Sequence, residues 1–283
     1  MTLVWRPDYN GTPGKVTLAK EFTPQSYMYD FPSQYPVWTP ADIDTALWLD
    51  ANDAATITQS SNLVSQWNDK SGNARHATAS STGRPTYGAS SMNSRPGLTF
   101  NGSANFMAAN AVATISSGDD LPFSVFAVID PSGNGIAAGF GSSLDGEIRF
   151  HSFSVEGDRL TTRRRGAGTD LLDLAGTTTL GPACIGELLF TGTNATLFLN
   201  GTQEATGNLN VSTLFVVDRF TIGALVRSSV SNFFNGVISE VIITANSAST
   251  NTRQRIEGYL AHKWGLTANL PSDHPYKLVG PTP

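Results

Sequence analysis

Apolar positions in this sequence come in short runs, and the runs are punctuated by Asn, Asp, Ser and Gly. Ala46-Leu47-Trp48-Leu49 is one such run, closed by Asp50. Leu63 to Trp67 is the next, and it leads into Asn68-Asp69-Lys70-Ser71-Gly72-Asn73, whose members each favour reversals for a different stereochemical reason. Gly97-Leu98-Thr99-Phe100 meets Asn101-Gly102, a dipeptide that predicts a tight hairpin. A further strand begins at Asn105-Phe106-Met107. Leu121 to Ile129 is apolar on both faces, as a central strand is. Glu147 to Val155 alternates, with Ile148, Phe150 and Ser152 opposite Arg149, His151 and Phe153. Glu187 to Phe190 and Ala195 to Leu199 read as paired buried strands, and Asn200-Gly201 turns the second into Thr202 to Ala205. Arg219 to Leu225 and Gly236 to Thr244 complete the series. One segment has helical period instead. Ile256, Tyr259, Leu260 and Trp264 share a face over Thr252 to Trp264, with Asn251 as the expected cap, Gln254 as its reciprocal partner and Gly265 as a left-handed stop. No internal repeat or linker interrupts Pro40 to Lys277, so the pattern predicts a single all-β sandwich.

Two groups of these residues also resemble a known family. Trp48-Leu49-Asp50, Gln66 to Asn73, Arg95-Pro96 and Phe100-Asn101-Gly102 are similar to the concanavalin A-like (laminin-G-like) jelly-roll domains of phage and bacterial proteins. Phe234 to Val241 resembles that family's last core strand, and Arg255 to Leu266 the helix and exit turn after it. The resemblance implies an all-β, concanavalin A-like jelly-roll sandwich over residues 40–283, with one short C-terminal helix and an extended N-terminal arm over residues 1–39. Its phage members imply a virion structural protein, a capsid decoration or a tail-associated protein, that displays a lectin-like domain outward for glycan adhesion. Its bacterial members leave a carbohydrate-binding module outside any virion as the alternative. The implied partners are other virion proteins, further copies of the same chain and a surface glycan.

The arm is a different kind of sequence. It carries Trp5, Tyr9, Phe22, Tyr27, Tyr29, Phe31, Tyr35 and Trp38, punctuated by Pro7, Pro13, Pro24, Pro32 and Pro36. Prolines at this density forbid a helix, and so many aromatics are unlike a solvated tail. The segment wants a surface: its own domain, or a partner on which Trp5, Tyr9, Phe22, Tyr27, Tyr29, Phe31 and Tyr35 would be the anchors.

Composition narrows the field. Only 14% of the 283 residues are charged, and the net charge of −5 offers no field for nucleic acid or an anionic membrane. No apolar run approaches membrane-span length, and Met1 to Lys15 lacks the apolar core of an export signal. The expectation is a virion protein made in the host cytoplasm. Cys184 is the single cysteine, so no intrachain disulfide can form, and its apolar flanks read as a buried strand. Arg163-Arg164-Arg165 reads as a solvated strand end.

No catalytic set emerges. Glycosidases of this general shape need closely spaced carboxylates on one strand, but the acidic residues here are scattered, and Asp119-Asp120 would face opposite ways on a strand. His76, His151, His262 and His274 are dispersed, and no phosphate loop or nucleophile elbow is present. The reading is therefore not an enzyme and no organic cofactor. The resemblance leaves calcium open, with Asp69, Asn73, Asn101 and Asn105 as candidate oxygen ligands at a loop rim. Acidic residues common in relatives are missing after Phe100. Trp67 lies near a loop, but its alternation assigns it to the core, so no residue of the sequence by itself marks a sugar platform.

Overall fold

The computed structural model describes residues 37–109, 121–141, 149–166, 171–211 and 219–283. The aromatic anchors assigned to the arm, Trp5, Tyr9, Phe22, Tyr27, Tyr29, Phe31 and Tyr35, lie outside the described residues.

The chain opens with β1 (Thr45–Asp50), β2 (Ile57–Ser60), β3 (Leu63–Trp67) and β4 (Ala77–Thr78). It continues through β5 (Thr86–Met92), β6 (Arg95–Asn101), β7 (Met107–Ala109), β8 (Phe123–Pro131) and β9 (Gly135–Gly141). Then come β10 (Phe150–Glu156), β11 (Arg159–Arg165), β12 (Leu171–Ala175), β13 (Cys184–Phe190), β14 (Asn194–Leu199) and β15 (Thr202–Asn208). The last strands are β16 (Arg219–Ile222), β17 (Leu225–Val226), β18 (Val230–Ser231) and β19 (Asn235–Thr244), followed by the helix α1 (Thr250–Trp264).

The strand pairs are antiparallel and fall into two layers. In one, β8 lies between β13 and β19, and β13 continues to β14 and β15. The far edge of β19 is shared: Asn235 to Ile238 pairs with β6, and Glu240 to Thr244 pairs with β1. In the other layer the order is β12-β11-β10-β9-β16-β7-β4-β3-β2. The single Leu63–Thr86 pairing between β3 and β5 joins the layers into one hydrogen-bonded surface. The fold is thus the jelly-roll-like all-β sandwich with a short C-terminal helix that the sequence predicts.

The main core fills the space between the layers. Leu47, Leu49, Val125, Ala127, Val241 and Ile243 point into it from one side, and Phe140, Phe153, Phe220 and Trp67 belong to the same buried cluster. The outer face of the first layer is buried too. Trp48, Phe126, Val128, Ile185 and Ile242 pack against Ile256, Tyr259, Leu260 and Trp264 of α1. Burial on both faces explains why Phe123 to Ile129 lacks alternation, while Leu121 ahead of β8 is exposed.

Four details differ from the sequence reading. Asn101-Gly102 does not close a hairpin: β6 pairs with β5 and β19, whereas β7 pairs with β4 and β16, so this turn carries the chain from one layer to the other. Asn200-Gly201 does close one, with positive φ at both residues and Leu199 opposite Thr202. Helix α1 begins earlier than expected, and its cap is Ser249, whose hydroxyl accepts the Thr252 N–H at 3.2 Å; Gly265 ends it at φ 70° as expected. Arg164 is buried rather than solvated, over the Phe190 ring at 4.9 Å, with Nη1 donating to the Leu209 carbonyl. Trp38, counted with the arm on sequence grounds, is fully buried beside Tyr259 with ring centroids 6.0 Å apart, so the folded body includes it.

Candidate functional site

The four candidate calcium ligands lie in two turns. Asp69 accepts hydrogen bonds from the Trp48, Ser71 and Arg75 backbone N–H groups and from the Ser71 hydroxyl, all at 2.8–3.0 Å. An ionised carboxylate has about four acceptor positions, and these contacts use them. Asn73 donates its amide to the Thr45 carbonyl at 3.0 Å, tying the same turn to β1. Asn101 accepts from the N–H groups of Ser103, Ala104 and Asn105, while Asn105 accepts from Asn101 and donates to the Arg84 carbonyl. Both sets staple backbone. Among the described residues, no three His, Cys, Asp or Glu side chains gather around a point that could hold a metal.

The carboxylates that look scattered in sequence are gathered by the fold into three groups. The first lies under α1. A bulge between Ile238 and Glu240 shifts the alternation of β19, so Ile238 and Val241 both face the main core and Glu240 faces the helix. There Glu240 accepts Trp48 Nε1 at 2.7 Å and the Tyr259 hydroxyl at 3.0 Å on one oxygen. Its other oxygen accepts Trp264 Nε1 at 2.5 Å and Lys263 Nζ at 2.8 Å. Lys263 also reaches Asp50 at 2.7 Å, and Lys70 bridges Asp50 and Asp53 at 2.8 and 3.0 Å. Burial alone would raise the Asp50 pKa, but the ammonium groups of Lys263 and Lys70 outweigh it and hold the carboxyl below its usual range. For Glu240 burial wins, and its pKa is raised despite Lys263.

The second group is Glu187, Glu257, Arg253 and His274. Glu257 is paired with Arg253 and with His274 Nε2, the latter at 2.8 Å. Glu187 is fully buried, and neither of its oxygens is held by a well-formed hydrogen bond. Burial first, then the Glu257 carboxylate, push its pKa well above the usual carboxylate value, so it is held neutral. Two carboxyls set side by side with one raised is a pattern seen in acid–base catalysis, but both members of this pair are fully buried beneath the helix.

The third group is at the surface. Glu156 grips Arg163 with both oxygens, each at 3.1 Å, and Asp173 grips its Nε side. The Asp173 hydrogen bond, with support from Glu156, raises the guanidinium pKa further against partial burial. Glu156 and Arg163, with Asp173 bound behind the guanidinium, stand at a cleft of about 510 Å³ whose lining is Gly102, Asn134, Gly135, Ile136, Glu156, Arg163, Asn232 and Phe233. Four chain segments build it: the turn after β6, the β8–β9 turn, the end of the β10–β11 hairpin and the approach to β19. Their backbones are cross-tied. Gly102 N–H donates to Phe234 O at 2.9 Å, Ile136 N–H to Asn232 O at 2.9 Å and Ser132 N–H to Asn235 O at 2.9 Å. Gly135 stands at φ 142°, where a Cβ would come within 2.2 Å of the Phe233 carbonyl oxygen, so only glycine lets these two loops meet. Asn134 accepts the Gly157 N–H at 3.0 Å, which fixes its amide orientation. Phe233 is half-buried against Phe106, with ring centroids 6.3 Å apart.

This site was invisible in the sequence because its residues share no spacing. The one local signal was Asn followed by Gly or Phe at each loop: Asn101-Gly102, Asn134-Gly135 and Asn232-Phe233. A second, smaller cleft of about 270 Å³ lies where β1, β19 and the start of α1 meet, lined by Asp44, Asn246, Ser247 and Ser249 among others; Asp44 is its one ionisable lining group.

No protein-family profile and no curated protein sequence matches this chain. Solved structures do. The fold is similar to that of the Trypanosoma rangeli sialidase in complex with sialic acid, at 16% identity and TM-score 0.52 over 78% of this chain and 33% of that one. It is similar to the binding domain of Paraclostridial Mosquitocidal Protein 1, at 9% identity and TM-score 0.55 over 78% of this chain and 53% of that one. A shorter match, at 14% identity and TM-score 0.45, covers 55% of this chain and 92% of the Ruminococcus gnavus sialidase carbohydrate-binding module bound to α2,3-sialyllactose. At these identities the likeness is one of fold. The chain spans about half or less of the two longer proteins.

Proposed function

We propose that this chain is a glycan-adhesion protein of a bacteriophage particle, a capsid decoration or a tail-associated protein. It would attach through its aromatic N-terminal segment and present its lectin-like sandwich outward. The observation that carries the glycan reading is the rim cleft. It combines a carboxylate–guanidinium cluster, two exposed Asn side chains and an aromatic ring at the loop end of a sandwich. Sugars need that mixture, because hydroxyls take directed hydrogen bonds while the ring's C–H face stacks on an aromatic surface. The sialidase neighbour, a protein crystallised with sialic acid, supports the reading at the level of fold.

The particle reading rests on the sequence. The motifs around Trp48, Trp67 and Trp264 resemble those of phage jelly-roll domains, and residues 1–36 hold the aromatic anchors of a docking segment. On this reading the partners are capsid or tail subunits and further copies of the chain, and the chemistry is binding without hydrolysis. Mass spectrometry of purified particles tests the location, and an array of immobilised oligosaccharides tests the adhesion. Purified protein that releases reducing ends from a polysaccharide, in a manner abolished by one Asp or Glu substitution, would overturn the non-enzymatic part.

A further inference from the structure

Resting on the glycan reading above, we infer that the rim cleft selects neutral, hydroxyl-rich sugar units and discriminates against those carrying a carboxylate. The charge balance of the cleft is the reason. Arg163 is its cationic lining group, and the guanidinium is committed on two sides. Glu156 takes Nη1 and Nη2 at 3.1 Å each, and Asp173 takes Nε closely and Nη2 at 3.4 Å. Two carboxylates around one guanidinium leave a net negative cluster. Asp158 and Arg159 in the adjoining turn carry opposite charges and do not change that balance. A sialic or uronic carboxylate would have to displace one of these anions or sit beside them in like-charge repulsion, and such repulsion is how sites reject wrong partners.

What the cleft does offer suits hydroxyl groups. The carboxylates of Glu156 and Asp173 are each partly exposed, so they retain acceptor capacity toward solvent. Asn134 has its oxygen occupied by the Gly157 N–H, which leaves its NH2 as an outward donor. Asn232 is exposed at the lip, and no described residue holds its amide. A sugar hydroxyl both donates and accepts, so neighbouring hydroxyls can meet these groups in turn. Phe233, braced by Phe106, supplies an apolar face. A cleft of about 510 Å³ is of the size that takes small ligands.

The test is an array on which neutral oligosaccharides are printed beside their sialylated and uronic counterparts, probed with the full chain. Neutral members should bind. Asn232→Ala and Asn134→Ala should each weaken that binding, and so should Arg163→Ala, by about tenfold, because it releases the Glu156 and Asp173 carboxylates that the guanidinium holds in place. The double variant Glu156→Gln, Asp173→Asn, which frees Arg163, should gain binding to the sialylated members. Thermal melts of each variant separate a lost site from a lost fold, and the two exposed Asn variants keep the test alive if Arg163→Ala does not fold. Preference of the wild type for charged sugars, or neutral binding untouched by all the cleft variants, overturns the inference and leaves glycan adhesion standing. Absence of binding to every printed sugar overturns both.

Discussion

Trp48 and Trp264 donate their indole N–H groups to opposite oxygens of one carboxylate, that of Glu240, at 2.7 and 2.5 Å. One side chain belongs to β1 and the other to the last turn of α1, so a single buried acid joins the first strand, the last strand and the helix. Lys263 and the Tyr259 hydroxyl complete its coordination. Removing Glu240 leaves Lys263 with only Asp50 as a carboxylate partner and two buried indoles without an acceptor. Glu240→Ala should cost about 3–5 kcal/mol, because it breaks a buried ion pair and strips Trp48, Tyr259 and Trp264 of their shared acceptor. Chemical denaturation reads this directly, and a loss within experimental error of zero would show that the network is dispensable.

Glu187 gives stability a pH dependence of known sign. Its folded pKa is raised well above 4.5 by burial and by Glu257, so the folded chain keeps a proton that the unfolded chain releases. That contribution is fully present below about 4.5 and is lost as pH rises through the folded value. Glu187→Gln mimics the protonated form. It should remove this slope and leave the protein at least as stable as wild type at neutral pH. Melting temperatures of both proteins across the acid-to-neutral range decide it, and an unchanged slope would assign the effect elsewhere.

His151 acts in the opposite direction. It sits fully enclosed, with the Phe190 ring 4.8 Å away and Phe123 at 5.2 Å. Burial first, then Arg164, hold its pKa well below 6.5, so it stays neutral in the fold. The unfolded chain binds a proton that the folded chain refuses, and stability falls as pH drops below about 6.5. An uncharged replacement such as His151→Phe should flatten this acid limb, even where repacking lowers stability at neutral pH. Retention of the full acid limb in the variant would count against His151 as its source.

Gly135→Ala tests how the cleft is built. The added Cβ meets the Phe233 carbonyl at 2.2 Å on a backbone at φ 142°. Strain of this kind costs on the order of 1–3 kcal/mol, and relief requires the Asn232-Phe233 loop to move. The melting temperature should fall and glycan binding should weaken together. A variant that binds normally would mean the two loops are not held as described.

The boundary at Trp38 yields a paired truncation. A chain starting at Val37 should melt cooperatively, while one starting at Pro40 loses the fully buried Trp38 ring and should be less stable by about 3–5 kcal/mol. The longer fragment should also fail to attach to particles if residues 1–36 hold the docking anchors. Normal attachment of that fragment in a co-sedimentation assay would reject the docking role.

Much of the architecture was legible because burial writes itself into composition. Phe123 to Ile129 lacks alternation since both faces of its layer are covered, and the α1 face shows as Ile256, Tyr259, Leu260 and Trp264. The misreadings have specific causes. Asn101-Gly102 announces a turn, but positive φ does not say which strands the turn connects. Ser249 precedes a run of polar residues, each able to cap, and only the accepted Thr252 N–H identifies it. Arg164 alternates with two less buried arginines, so its burial follows from strand parity, which the run of identical residues hid. The carboxylate groups were illegible for a further reason: Glu240 reaches the helix face only through the bulge at Ser239, which no local pattern signals.

The position of β19 has a consequence for how the protein is made. This strand is the last of the sheet to leave the ribosome, yet it lies between β8 on one edge and β1 and β6 on the other. At translation rates of about 5–20 residues per second, β1 waits roughly 10 s or more for its only described strand partner. During that interval Leu47, Trp48 and Leu49 have no sheet to join. The pairing edges of β1 and β8 are closed only once residues 235–244 are made, so a stop codon ahead of Asn235 would release an open-edged sheet prone to aggregate.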